Sequence, residues 1–320
     1  MPDCATTTVH QGGQGGYRHE AFFYADTDEF MDGTVEFARA SLAADEPILV
    51  VLSAEKIRRL AGELGSDAEH VLFADMGDVG VNPARIIPAW QDFLAEHLVD
   101  DRPVRGIGEP IWPGRSADEM AECARHEALL NRAFVDPNFW LMCPYDTVAL
   151  DERVVEEARR NHPFVREHDA SHASASFPGA DELSEPFDAP LPDAPLDAAM
   201  VVFEARDLPD VRALVARVAA AAGLSDERRS GLVTAAHEVA ANSIAHGHGR
   251  GTLRMWHAPG EIVCEVRDGG RIADPLAGRA RPGLNGEGGR GLWIANQLCE
   301  LVQLRSVATG TVVRLHMRTG

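Results

Sequence analysis

Between Thr234 and Gly247 the chain reads TAAHEVAANSIAHG, a run of small and apolar residues entered at intervals of four by Glu238, Asn242 and His246. Residues four apart are neighbours on one helix face, so Glu238 and Asn242 adjoin and His246 continues the row with some drift. A carboxylate is a proton acceptor, and a carboxamide oxygen is a neutral ligand for a hard cation. A solvated helix face is the competing reading of such a stripe taken alone. Three stretches downstream bear on the choice: Asp268-Gly269-Gly270, the run GEGGRGLWIANQL from Gly286 to Leu298, and Gly310-Thr311. Asp-Gly is also an ordinary turn, and a Gly-rich loop before a helix is also a hinge.

The elements that would position these residues follow from pattern. MVVFEA, from Met200, is a strand candidate, and DLPDVRALVARVAAAAGL has the early Pro, apolar stripe and late Gly of a capped helix. Ser225 is a suitable N-cap for a long helix to about His246, with Gly247 and Gly249 as its stop. GTLRMWHA and EIVCEVRD alternate like a hairpin pair. A loop follows from Gly269 to Gly289, then a short helix, and LVQLRSV and GTVVRLHMR close the sheet. The order predicts an α+β domain over 200–320 with a mostly antiparallel sheet.

In this order and spacing the residues resemble the GHKL ATPase superfamily of gyrase, Hsp90, histidine kinases and MutL, and within it the bacterial anti-sigma-factor serine kinases. EVAANSIAHG matches their E-x-x-x-N-A-x-x-H-G, with Ser243 in place of the Ala. The resemblance implies a GHKL (Bergerat) fold that binds ATP and Mg2+. It implies Glu238 as the catalytic base for a serine hydroxyl and Asn242 as the Mg2+ ligand beside the phosphates. It also implies Asp268 as acceptor of the adenine amino group, Gly270 as room for the ring, and Thr311 as the residue backing the adenine site. Gly289, Arg290, Gly291 and Leu292 match G-x-G-L, whose amide N–H groups at a helix start can hold phosphate oxygens. The first glycine box, usually D-x-G-x-G, reads DGGRIADP here, with Arg271-Ile272 in place of the second glycine. Arg271, Arg279 and Arg281 are candidates for a γ-phosphate clamp or for solvated surface charges. The implied partners are a sigma factor and an anti-sigma-factor antagonist protein, and a homodimer is left open. A nucleotide-gated module that sequesters a partner without phosphoryl transfer is the alternative, which the altered glycine box favours.

Residues 19–165 alternate apolar runs with amphipathic stretches. ILVVLS, HVLFADM, PVRGIGEPI and WLMCPYD are strand candidates, with helices around Glu29–Ala43, Glu55–Glu63, Pro83–His97, Ala117–Phe134 and Asp151–Arg160. Such alternation predicts crossover units and a mainly parallel sheet. HEAFFY, ILVVLS, GEPIWPG, HEALLN, LMCPYD and NHP resemble the MEDS sensory domain, which implies a RecA-like or KaiC-like α/β fold and a small-molecule or protein signal. AEKIRRL stands where a phosphate-binding loop would need Gly-Lys-Ser/Thr, which argues against nucleotide there. His19, Cys143 and His162 are candidates to converge on a metal or small molecule, although single His and Cys residues near strands are more often packed core members.

The bulk numbers agree with two globular domains joined by something else. At 320 residues, 45% hydrophobic and 25% charged, the chain has room for about two cores. The net charge of −20 is unevenly placed: residues 200–320 hold 12 acids and 15 arginines, so the excess acid lies in front. An acidic front half argues against direct nucleic-acid binding, which draws on Lys and Arg. Residues 166–199 hold no Lys or Arg after Arg166 and read as an acidic, Pro-rich, extended linker. A sensor histidine kinase would need a helical hairpin with a phospho-acceptor His at that place, and His168 and His172 lack helical context. Residues 1–18 read as a disordered tail. Five scattered cysteines without a C-x-x-C pair argue against a disulfide framework or a cysteine-built zinc cluster. With no cationic-apolar signal sequence and no apolar run of about 18 residues, the expectation is a cytoplasmic protein off the membrane.

Overall fold

A computed structural model describes residues 16–167, 170–180, 189–282 and 289–319. The expectations for residues 1–15, for the middle of the acidic segment and for Gly286 lie outside the described residues.

The N-terminal domain is built on β1 (Arg18–Tyr24), α1 (Thr27–Ala43), β2 (Ile48–Leu52), α2 (Ala54–Leu64), β3 (Leu72–Asp75), α3 (Met76–Val79) and α4 (Ile86–His97). It continues through β4 (Val104–Gly108), α5 (Ala117–Ala133), β5 (Phe139–Asp146), α6 (Glu152–Asn161), β6 (Phe164–Glu167) and β7 (Ala170–Ala173). The sheet order is β3-β2-β4-β5-β1-β6-β7, parallel throughout except for β6 with β7. Ile48–Leu52 is buried at all five positions, as a strand covered on both faces requires. One face packs Ala21, Leu141, Cys143 and Tyr145 with Trp90 and Phe139. The other packs Phe22, Phe30, Phe37, Val50 and Met142. Helix α5 starts on a reciprocal capping box, Ser116 with Glu119. The span expected to be extended linker begins inside this sheet: Phe164–Glu167 lies parallel to β1, and Ala170–Ala173 pairs back on it. His172 is therefore on an exposed strand, not on a dimerisation helix.

The C-terminal domain comprises β8 (Ala199–Glu204), α7 (Leu208–Ala221), α8 (Asp226–His246), β9 (Arg250–Ala258), β10 (Glu261–Asp268), α9 (Arg290–Leu298), β11 (Leu301–Val307) and β12 (Gly310–Arg318). Its sheet, in the order β11-β12-β10-β9-β8, is antiparallel at every pair. Helices α7, α8 and α9 cover one face through Val211, Val215, Leu232, Ala236, Val239 and Ala295. Ser225 caps α8 by accepting from Arg228 N–H. Gly247 ends the helix for a reason other than backbone freedom. Its φ is −103°, and a Cβ there would stand 2.5 Å from Asp268 Cγ.

Candidate nucleotide site and its contacts with the N-terminal domain

Helix α8 leaves Glu238 and Asn242 half-buried on its outer side, while Ser243, one residue on, is buried beneath. His246, the third member of the stripe, is exposed. Helix α9 begins against the first two. A Cβ placed on Gly291 would lie 2.8 Å from Asn242 Nδ2 and 3.2 Å from Glu238 Oε2, so the bare backbone of α9's first turn abuts both polar groups. Gly289, at φ +79°, supplies the left-handed turn into that helix. Arg290 follows, exposed, and Leu292 is buried in the core, which fixes the helix's rotation.

Asp268 ends β10 below the same helix. Its Oδ2 accepts from Ser243 Oγ at 2.6 Å and its Oδ1 from Gly270 N–H at 2.7 Å. Gly270 cannot carry a side chain, because a Cβ would meet His246 O at 2.5 Å. Thr311, buried at the start of β12, donates to Gly270 O at 3.0 Å and contacts Ser306 Oγ at 3.0 Å. The five residues thus tie α8, β10, β11 and β12 into one hydrogen-bonded floor. Ile272, standing in place of the second glycine, donates its N–H to Ser306 Oγ at 2.8 Å and packs its side chain on the core. The substitution therefore tacks the loop onto β11.

The comparisons bear on both halves. Residues 18–163 match the profile of MEDS, the methanogen/methylotroph, DcmR sensory domain, and residues 201–317 match the histidine kinase-like ATPase domain. The chain joins a MEDS domain to a histidine kinase-like ATPase domain. No curated protein matches it. Among solved structures, a crystal structure of the RsbU and RsbW domains of a Mycobacterium tuberculosis protein aligns at 20% identity with a TM-score of 0.30. That alignment covers 39% of this chain and 33% of the other, so the chain matches about a third of that relative's length. An ATPase domain of this family implies nucleotide binding, usually with Mg2+. No helix among the described residues is long and apolar enough to cross a membrane.

The MEDS domain meets the ATPase domain at the elements next to the candidate site, which the sequence does not reveal. Helix α9 ends in carbonyls with no partner inside the helix. Arg85 donates to Asn296 O at 2.8 Å, Gln297 O at 2.7 Å and Cys299 O at 3.2 Å, and Asn82 Nδ2 reaches Asn296 O at 3.1 Å. A MEDS cation thus sits where the helix dipole favours one. Beside it, Arg279 and Arg305 of the ATPase domain both bind Glu122 of α5, Arg305 at 2.6 Å, and all three side chains are buried. Burial alone pushes the Glu122 carboxyl up; the Arg279 and Arg305 guanidiniums outweigh it and hold the group below the usual carboxylate range. Of the loop arginines, Arg279 thus departs from both sequence readings. Arg279 neither faces solvent nor lies open to a phosphate, and Arg281 pairs with Asp92 at 2.9 Å. Arg271 and Arg281 are both exposed, as the solvated-surface reading expects. Leu276, from the same loop, packs on the MEDS core.

Proposed function

We propose that the chain is a cytoplasmic, ATP-dependent anti-sigma factor and protein-serine kinase of the partner-switching type. It would hold a sigma factor from RNA polymerase and phosphorylate a serine of an antagonist protein, with the MEDS domain receiving a signal. The convergence of Glu238, Asn242 and the bare Gly291 above the Asp268–Gly270–Thr311 floor carries this reading.

These residues fit the group that the family implies. Asn242 offers an uncharged oxygen for Mg2+, and Gly291 brings the first turn of α9 close to it, so the N–H groups of Gly289 to Leu292 could take phosphate oxygens. Each Asp268 oxygen accepts one hydrogen bond already and retains a lone pair for the adenine amino group. Bound Mg2+ would supply neutralisation of phosphate charge. Glu238, half-buried and one turn from Asn242, would take the proton of a serine hydroxyl.

One observation favours the second reading, a nucleotide-gated module that sequesters its partner without transferring phosphate. Arg279 and Arg281, two of the three loop cations, are engaged with the MEDS domain. Labelled ATP, Mg2+ and candidate antagonist proteins mixed with the full chain separate the two. The kinase reading expects label on an antagonist serine, and a Glu238→Gln chain that transfers about 10²–10⁴-fold more slowly while still binding ATP. ATP bound without label on any candidate selects the sequestering module, and equal transfer by Glu238→Gln removes the base assignment.

A further inference from the structure

The MEDS core contains a cluster that the nucleotide site does not use. His19 on β1, Cys143 on the adjacent β5, Glu127 on α5 and His162 at the C-cap of α6 bring their ligand atoms within 4.8 Å of one another. All four side chains are buried, at 0% or 1% exposure. His19 Nε2 lies 3.0 Å from Glu127 Oε2 and 3.4 Å from Cys143 Sγ, and His162 Nε2 lies 3.3 Å from the same carboxylate oxygen.

The surrounding hydrogen bonds decide where the protons are. Asn131 donates its amide to Asn161 O at 2.7 Å, so its oxygen is the atom facing His19 Nδ1 at 3.1 Å, and that nitrogen must carry the hydrogen. His162 Nδ1 is 2.7 Å from Ala158 O, a pure acceptor, and must carry one as well. In the neutral rings both Nε2 atoms are therefore lone pairs, and both point at a carboxylate. The Cys143 thiol is the single proton these four groups can offer one another. Two nitrogens, a carboxylate oxygen and a sulfur, with one proton among them, would leave acceptor facing acceptor in an apolar core. Such contacts cost several kcal/mol when unrelieved. Among the described residues, His162 Nε2 and Glu127 Oε1 indeed have no hydrogen-bond partner.

We propose that His19, Glu127, Cys143 and His162 are the ligands of a buried, four-coordinate metal site of the zinc class in the MEDS domain. Tetrahedral bonds of about 2.0–2.3 Å set ligand atoms about 3.3–3.8 Å apart, close to the separations here. Imidazole and thiolate donors select Zn2+ over Mg2+ or Ca2+. The cation replaces the thiol proton, and a dication with one thiolate and one carboxylate is neutral overall, as a dry site requires. The outer hydrogen bonds from Nδ1 to Asn131 and Ala158 O are the kind that orient metal-bound imidazoles. Glu127 shares α5 with Glu122, so the helix that would carry the metal also holds Arg279 of the ATPase loop.

The test uses the full chain. Elemental analysis of protein purified without added metal should find about one zinc per chain. Replacement by Co2+ should give the intense visible absorption of a four-coordinate ion and a thiolate charge-transfer band in the near ultraviolet. Cys143→Ser should lose that band, and Asn131→Ala, which keeps all four ligands, should weaken binding about 10–100-fold. His172→Ala, exposed on β7, should change neither. A wild-type chain that is folded by circular dichroism, isolated without metal and silent to Co2+, overturns the site. A Co2+ spectrum unaltered by Cys143→Ser in a folded variant overturns this ligand set. The wild-type measurements decide the question even where a ligand variant fails to fold.

Discussion

Removing the charge of Glu122 while keeping its shape, as Glu122→Gln does, should loosen the joint between the domains more than any exposed substitution. The carboxylate is 1% exposed, and its two oxygens are divided between Arg279 at 4% and Arg305 at 6%. Arg279 Nη1 and Arg305 Nε find no hydrogen-bond partner among the described residues, and the amide would leave two buried guanidiniums unneutralised. Breaking a buried pair from one side costs about 3–5 kcal/mol, mostly the desolvation of the charge left behind. The wild-type contribution also depends on pH. The folded carboxyl lies below the usual range, so its stabilisation is complete above the unfolded value of about 4.3 and is lost as pH falls through the folded one. Urea unfolding of the full chain should therefore show a deficit of about 3–5 kcal/mol for Glu122→Gln at pH 7 that shrinks towards pH 3. Hydrogen exchange should locate the loss at α5 and β11. Replacing all three residues by apolar ones, Glu122→Leu with Arg279→Met and Arg305→Met, should recover most of the deficit. A Glu122→Gln chain within about 0.5 kcal/mol of wild type at pH 7 would refute the reasoning, as would a triple variant weaker than the single.

Three further outcomes follow from the candidate nucleotide site. Gly291→Ala should weaken binding of an ATP analogue at least about tenfold by calorimetry, since its Cβ would press within 2.8 Å of Asn242 and push the Asn242 and Glu238 side chains aside. Ser243→Ala removes the 2.6 Å donor to Asp268 and should lower stability by about 1.5–3 kcal/mol, the range for a hydrogen bond to a charged group, seen as a lower thermal midpoint. Arg85→Ala withdraws three hydrogen bonds from the last carbonyls of α9; faster amide exchange in that helix is expected, with little change in the sheet of the ATPase domain.

What could be read in the sequence divides by range. The five-residue run ILVVL and the box Ser116-x-x-Glu119 act locally, so β2 and the start of α5 follow from pattern alone. Strand β1 was legible only as the motif HEAFFY, because a central strand whose first three residues are Arg18, His19 and Glu20 lacks an apolar start. His19 and Glu20 are buried only because Glu127, Asn131, Trp140 and Ser171 bond them from elements 108 to 151 residues away. Strands β6 and β7 escaped because their sequence, from Phe164 to Ala173, is polar and acidic. β6 buries only Val165, and β7, exposed at the edge of the sheet, is defined by its backbone hydrogen bonds to β6 rather than by apolar burial. The four-residue spacing of Glu238 and Asn242 was readable because a helix maps it onto one face. Arg279 was not, since whether a loop arginine meets water, phosphate or a buried carboxylate depends on a domain whose sequence lies more than 150 residues upstream.

That long-range contact changes how the candidate site has to be understood. The G-x-G-L turn, Gly289 to Leu292, lies at one end of α9 and the Arg85–Asn82 cap at the other, and the helix is nine residues long. A helix so short is marginal without tertiary support. Its N–H groups can be aimed at a phosphate only while its rotation and its far end are held. Leu292 and Ala295 fix the rotation through the ATPase core, but the far end is fixed by side chains of the MEDS domain. The preceding loop is held from both sides as well: Gly278 O accepts from Asn296 of α9, and the next residue, Arg279, is clamped by Glu122 of α5. A displacement of α5 or of the Asn82–Arg85 turn would therefore reach the N-terminal turn of α9 through nine residues of one rigid helix. In this way the MEDS domain would bias the candidate nucleotide site through helix α9, and the Arg85→Ala exchange measurement tests the first link of that path.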